Sequence, residues 1–330
     1  MKRRTYLAST LGLTTLLVGC TDTDDTDDTG SDDGAGDDDA TSTPEEQAGD
    51  EVDAAIGDLV EGENIHLVIE DVERGAEFDS FLEPDPGNEF LAIELAMKNV
   101  SDEALSVSQL LQSSVHDDEG YSYDQTFVGD ADAQFNDGQF APGEVERGQI
   151  AYEVPEDAEG LELRFDFDLS LFGGIERAYV DLESEGDDVS LEQDLQVDVH
   201  GIGDGVEFGD VEVTVEDIRF ESELGMFAEA EAGHEYAIVD IAVDNQSGED
   251  QQVSTILQMQ AKDGDGRSFQ EDWMATADLD QNFDEGTPIA DGETRRGEVV
   301  YEVPENTSPL YWVFEFDVWV DGDKTFWEIA

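Results

Sequence analysis

The stretch APGEVERGQIAYEVPED at residues 141–157 returns as ADGETRRGEVVYEVPEN at residues 290–306. Two further blocks recur in the same order. GDLVEGENIHLVIEDVE (57–73) aligns with GDGVEFGDVEVTVEDIR (203–219), and EFLAIELAMKNVS (89–101) with EYAIVDIAVDNQS (235–247). These two blocks are displaced by 146 residues and the opening one by 149, so an insertion lies between them, where a loop absorbs it. A period this long exceeds the roughly 20–50 residues of solenoid repeats and implies two domains.

Within each copy the apolar residues alternate. In Leu161-Glu162-Leu163-Arg164-Phe165-Asp166-Phe167-Asp168-Leu169 every second residue is apolar, the mark of a strand with one buried face. Trp312, Phe314, Phe316, Val318 and Val320 repeat the pattern. Residues 65–69, 90–97, 211–215 and 236–243 also read as strands, and no long amphipathic helix is evident. Turn signals separate them (Asn99-Val100-Ser101, Pro142-Gly143, Asn245-Gln246-Ser247, Asp265-Gly266, Asp291-Gly292). The expected class is all-β: two tandem immunoglobulin-like β-sandwiches, residues 51–183 and 201–330, joined by a linker over 184–200.

The shared sequence pattern of the copies is a Gly-Asp-x-Val start, a central strand ending in Asn-x-Ser, then Pro/Asp-Gly-Glu, Arg-Gly and Tyr-Glu-Val-Pro. It resembles the telokin-like, immunoglobulin-fold domain of unknown function common in prokaryotic lipoproteins. That resemblance implies a fold and no catalytic residues, because its motifs are turn and strand chemistry. The segments Gly75–Gly87 and Glu221–Gly233 are longer than a minimal sandwich requires.

Residues 1–19 carry a basic start (Lys2, Arg3, Arg4), a short apolar run and the small residue Gly19, the layout of a secretory signal. The apolar run is too short for a spanning helix, which takes roughly 20 residues. Leu17-Val18-Gly19-Cys20 resembles a lipobox, and Arg3-Arg4 with Thr5-Tyr6-Leu7 resembles a twin-arginine export signal. Cys20, the single cysteine, is therefore the expected lipidation site, and the chain forms no internal disulfide. Residues 20–50 hold Asp, Thr, Gly and Ser with no large apolar side chain after Cys20. They are expected to be a disordered acidic tether.

Lys and Arg total 14 against 87 for Asp and Glu, a net charge of −73. Such self-repulsion is tolerated in concentrated salt, where the screening length falls to about 3 Å at 1 M. The composition resembles that of proteins from extremely halophilic archaea. It excludes nucleic acid as a partner.

No catalytic or metal-ligating set emerges. His66, His116, His200 and His234 lack ligand spacing, and no Gly-x-Ser-x-Gly elbow places a nucleophile. Asp263-Gly264-Asp265-Gly266 offers hard oxygens, but the closing glutamate of a calcium loop is misplaced and a hairpin turn fits better. No cofactor is expected, with room left for weak loop-bound divalent cations. Asn99, Asn245 and Asn306 head acceptor sequons that could carry glycans, although the first two fit turn chemistry equally well. The expected function is a non-enzymatic protein, lipid-anchored to the outer face of the cell membrane through Cys20, displaying two binding modules to an unidentified surface protein or ligand. The alternatives are a structural spacer or envelope component, and an accessory protein for solute capture or transport.

Overall fold

The computed structural model describes residues 49–76, 78, 82–107, 113–126, 134–136, 138–167, 172–225, 228–316 and 322–330. The expected export segment with Arg3 and Arg4, the expected lipidation site Cys20 and nearly all of the expected tether lie outside the described residues. Residues 47–330 form one compact unit.

The first copy contains β1 (Asp50–Ile56), β2 (Leu59–Glu61), β3 (Ile65–Arg74), β4 (Asn88–Asn99), β5 (Leu105–Ser106), β6 (Ser113–His116), β7 (Ser122–Thr126), β8 (Gln139–Phe140), β9 (Val145–Pro155), β10 (Glu162–Asp166) and β11 (Ile175–Glu185). The second contains β12 (Val199–His200), β13 (Gly205–Phe208), β14 (Val211–Glu221), β15 (Glu223–Leu224), β16 (Ala228–Glu229), β17 (His234–Asn245), β18 (Met259–Asp263), β19 (Ser268–Phe269), β20 (Glu293–Pro304), β21 (Leu310–Glu315) and β22 (Lys324–Glu328). Two helices lie wholly within the described residues, the one-turn elements α1 (Thr255–Gln258) and α2 (Trp273–Ala277).

Both copies are two-layer sandwiches. In the first, strands run β1-β11-β10-β6-β7-β9-β4-β3-β2. β7 belongs to both layers, pairing with β6 through Asp124 and Ser114 and with β9 through Gln125 and Tyr152. In the second, β12-β22-β21-β18-β19 faces β13-β14-β17-β20, and Glu271 bridges to Tyr301 where β7 meets β9 in the first. The opening strand of each copy lies parallel to its closing strand, β1 on β11 and β12 on β22.

Alternation puts the inner faces together. Leu67, Ile93, Leu95, Ile150, Tyr152, Leu163, Phe165 and Val180 belong to the first core, and Val213, Val239, Ile241, Val299, Tyr301, Trp312, Phe314 and Trp327 to the second. Fully burying side chains of this size contributes about 1.5–3 kcal/mol each. Both copies share a bulge, one between Ile69 and Asp71 and the other between Val215 and Asp217. It holds Glu70 and Glu216 beside the arginine that precedes the Arg-Gly glycine of each repeat, Arg147 and Arg296.

The Arg-Gly element itself has a packing cause. A Cβ on Gly148 would lie 2.6 Å from the Cα of Phe135, and one on Gly297 2.4 Å from the Cα of Phe283. The preceding segment crosses directly over the strand in both copies, and its phenylalanine enters the core. Gly297→Ala is expected to destabilise the protein by about 1–3 kcal/mol through overpacking, measured as a lowered thermal midpoint in molar salt.

Candidate functional site

The described residues bring the predicted site residues to separate places. Asn99 and Asn245 are fully buried at equivalent turns. Asn99 Nδ2 donates to Glu103 O (2.8 Å) and Phe140 O (2.9 Å), while its Oδ1 accepts from Ser101 N and Oγ. Asn245 repeats this with Glu249 O, Ile289 O and Ser247. Both amide N–H groups of each asparagine are used in closing its turn. Asn306 is exposed, in a turn with φ of 63°. His66, His116, His200 and His234 sit on four different strands. Among the described residues no three His, Cys, Asp or Glu converge as a metal site.

Chemistry concentrates instead where the two copies meet. The Pro142-Gly143 turn has Gly143 at φ of 79°, and a Cβ there would lie 1.8 Å from the carbonyl oxygen of Asp194. The predicted linker runs over this turn and is tied to it by two backbone hydrogen bonds, Asp194 N to Gly143 O at 3.0 Å and Gln196 N to Pro142 O at 2.8 Å. Its Val189 and Leu191 cover Val68, Ala96 and Val145, and its Leu195 and Val197 pack with Ala141, Val313 and Phe326. Lys98 Nζ holds Glu192 O at 2.7 Å and Arg147 Nη2 holds Leu191 O at 2.9 Å.

The Asp263-Gly264-Asp265-Gly266 turn is the hairpin between β18 and β19. Asp263 Oδ1 accepts from Asp265 N (3.0 Å) and Arg267 N (2.8 Å). Gly266 O accepts from Arg147 N at 2.9 Å, which gives the edge of β9 a partner from the second copy. Only glycine fits there: φ is 93° and a Cβ would stand 2.7 Å from Val145 O. Arg147 bridges the copies, paired with Glu70 (2.8 and 2.9 Å) and donating to Asp265 O. Arg267 crosses back to Glu94.

Beneath the hairpin lie two lysines from the second copy and two glutamates from the first. Lys262 contacts Glu146, Glu144 (3.1 Å) and Ser268 Oγ (3.3 Å), and Lys324 contacts Glu144 at 2.7 Å. Glu144 also accepts from Ala141 N at 2.7 Å. All four charged residues are at most 4% exposed. Burial pushes the Glu144 carboxyl up, but Lys324 and Lys262 overcome it and hold the group below the ordinary carboxylate range. Burial dominates at Glu146, whose carboxyl is raised despite Lys262 and Lys324, and whose Oε1 has no hydrogen-bond partner among the described residues. Burial alone would depress Lys324, yet Glu144, Glu315 and Glu146 raise it.

Beside the joint is a cleft of about 610 Å³ whose lining includes Gln193, Leu195, Asp263, Asp265, Arg267 and Tyr311. A smaller one of about 260 Å³ adjoins the corresponding hairpin of the first copy, among Asp117, Asp118, Glu119, Asp157 and Glu159. The sequence reading missed the joint. Its signal was the break in alternation at Tyr311-Trp312-Val313-Phe314, apolar on both faces, as a strand covered on both sides must be.

A family model described as a domain of unknown function, DUF4352, matches residues 54–175 and again 200–324. The chain belongs to this family, with two tandem copies of its domain. The family description assigns no activity. Similar solved structures include an uncharacterised β-sandwich protein from Clostridium difficile, 17% identical over 44% of this chain and 100% of its own, with a TM-score of 0.29. A secreted protein of Mycobacterium tuberculosis, MPT63, is 15% identical over 39% of this chain and 95% of its own, with a TM-score of 0.31. The Bacillus subtilis putative lipoprotein ycdA is 10% identical over 57% and 73%, with a TM-score of 0.32. No curated protein matches the chain.

Lys262→Ala leaves two buried glutamates with one cation and is expected to cost about 3–5 kcal/mol, read as a lower urea midpoint. Because the Glu144 value is depressed by folding, its contribution is complete above the ordinary carboxylate range and is lost as pH falls through the depressed value. Glu144→Gln should flatten that part of the acid limb of stability against pH.

Proposed function

We propose that this DUF4352 protein is a non-enzymatic surface lipoprotein, anchored through Cys20 after twin-arginine export, that presents its two immunoglobulin-like sandwiches as one rigid binding module. The observation that carries the reading is the joint. The copies are fastened by a packed linker, a strand-edge contact and a buried charge cluster, and a cleft lies beside the seam. Small-ligand sites favour such domain boundaries.

Two alternatives are separated by particular features. The cleft exceeds the roughly 300 Å³ that a small-molecule site needs, which favours solute capture as the second reading. A featureless spacer fits less well, since α1 and α2 hold Ile256, Leu257, Trp273 and Met274 at 63–68% exposure. Isolated exposed apolar residues are ordinary on a surface; two helical pairs this exposed in so acidic a chain are a feature to be explained. The acid-rich surface is read as adaptation to molar salt.

Membrane-associated protein should have an intact mass that begins at Cys20 and includes lipid, and Cys20→Ser should release it to the soluble fraction. An unprocessed chain in the soluble fraction of wild-type cells would refute the anchor. The strand circular dichroism signal is expected to collapse when salt is lowered far below 1 M; its retention in dilute, chelator-treated buffer would refute the halophilic reading.

A further inference from the structure

We infer that the cleft beside the Asp263–Arg267 hairpin is a binding site for a primary ammonium group, carried by a small solute or by a lysine side chain. The inference rests on the reading of the chain as a binding module and names the ligand class of that site. Asp263 lines the cleft and is 8% exposed. Its Oδ1 is committed to the turn through Asp265 N and Arg267 N, whereas none of the described residues hydrogen-bonds its Oδ2. Oδ2 therefore stays open to solvent on a residue that is otherwise buried, where an incoming donor can reach it. Burial raises the Asp263 carboxyl, and the two backbone donors and Lys262 do not bring it back.

No cation among the described residues forms an ion pair with this carboxylate. Arg267 is paired with Glu94, Arg147 with Glu70, and the neighbouring Lys262 points into the joint toward Glu146 and Glu144. The remaining lining suits a cation with a short apolar stem. Asp265 adds a second, exposed carboxylate. Tyr311, held edge-on against Phe326 at 6.3 Å, offers a ring that a cation can approach and a hydroxyl with no hydrogen bond among the described residues. Leu195, Pro304 and Pro309 supply apolar wall.

Competing ligand classes fit less well. An anion meets Asp263, Asp265 and the field of a chain with net charge −73. A wholly apolar ligand would bury Oδ2 without a donor. A bound metal would need about six oxygen ligands, and Asp263 already spends one of its two on the turn.

The test is a titration of the purified mature chain in molar NaCl with Nα-acetyl-lysine methylamide and with ethylammonium, followed by NMR. The neutral counterpart is Nα-acetyl-norleucine methylamide. The expected result is saturable 1:1 binding of both cations, with shifts at Tyr311 and Gly264, weakened at least tenfold in Asp263→Asn. The asparagine Oδ1 can still accept from Asp265 N and Arg267 N, so the hairpin is retained and circular dichroism checks it. If that variant fails to fold, Asp265→Asn and Tyr311→Phe each should weaken binding severalfold. Binding by ethylammonium as well as the lysine derivative assigns the site to free amines; binding by the lysine derivative alone assigns it to a lysine side chain.

Equal affinity of Asp263→Asn, equal affinity for the neutral counterpart, or no saturable binding by either cation overturns the inference. Membrane release by Cys20→Ser is read independently, so the anchored-module reading stands or falls separately.

Discussion

The buried quartet of Glu144, Glu146, Lys262 and Lys324 is the constraint on which the arrangement of the two sandwiches depends. Each glutamate belongs to the first copy and each lysine to the second, so neither set could be buried alone without leaving two like charges in a site of low dielectric. The quartet therefore exists only when the copies are together. Its geometry is fixed from outside by features that tolerate little change: glycine at 143 under the linker, glycine at 266 against β9, and Asn99 pinning the turn from which Glu144 projects.

The joint is also directional. Repeated head-to-tail contacts of one kind would build an open filament, yet neither free end of this pair carries the matching surface. Where the second copy presents Lys262, Val313, Lys324 and Phe326, the first has His116, Arg164, Arg177 and Tyr179 at the same ladder positions. Arg164 and Arg177 are already paired with Glu162, Glu51 and Asp166. Where the first copy receives the linker on Val68, Ala96 and Val145, the second has Thr214, Ala242 and Thr294. The open faces are thus polar and internally neutralised, as the outer faces of terminal repeats are in stacked-repeat proteins.

The fold was legible because its signals are local. Alternation in Leu161–Phe167 and Tyr236–Val243, turn residues at fixed offsets and the recurrence of whole blocks each report on one strand or turn and agree with one another. Even the Arg-Gly element could be seen as a motif, although its cause, the crossing of Phe135 and Phe283, could not. The joint was illegible for the converse reason. Lys262 and Glu146 are 116 residues apart, and in a chain with 87 acidic residues no single glutamate announces that it is buried. The packing of the linker was hidden for a related reason: its acids dominate the composition, while Val189, Leu191, Leu195 and Val197 are the side chains that pack.

The scarcity of cations gives the joint its meaning. After residue 19 the chain has three lysines, Lys98, Lys262 and Lys324, and all three act where the copies meet, one on the linker and two in the quartet. Arg147 and Arg267 join them there. Two strongly acidic bodies brought into contact repel across the seam, and salt weakens that repulsion for exposed groups far more than for buried ones. A joint built from exposed pairs would consequently lose attraction in the same salt that relieves the repulsion. Placing the attraction in buried lysine–glutamate contacts separates the two effects: salt screens the surfaces while the seam keeps its strength. That separation accounts for why both buried lysines, Lys262 and Lys324, lie in the joint.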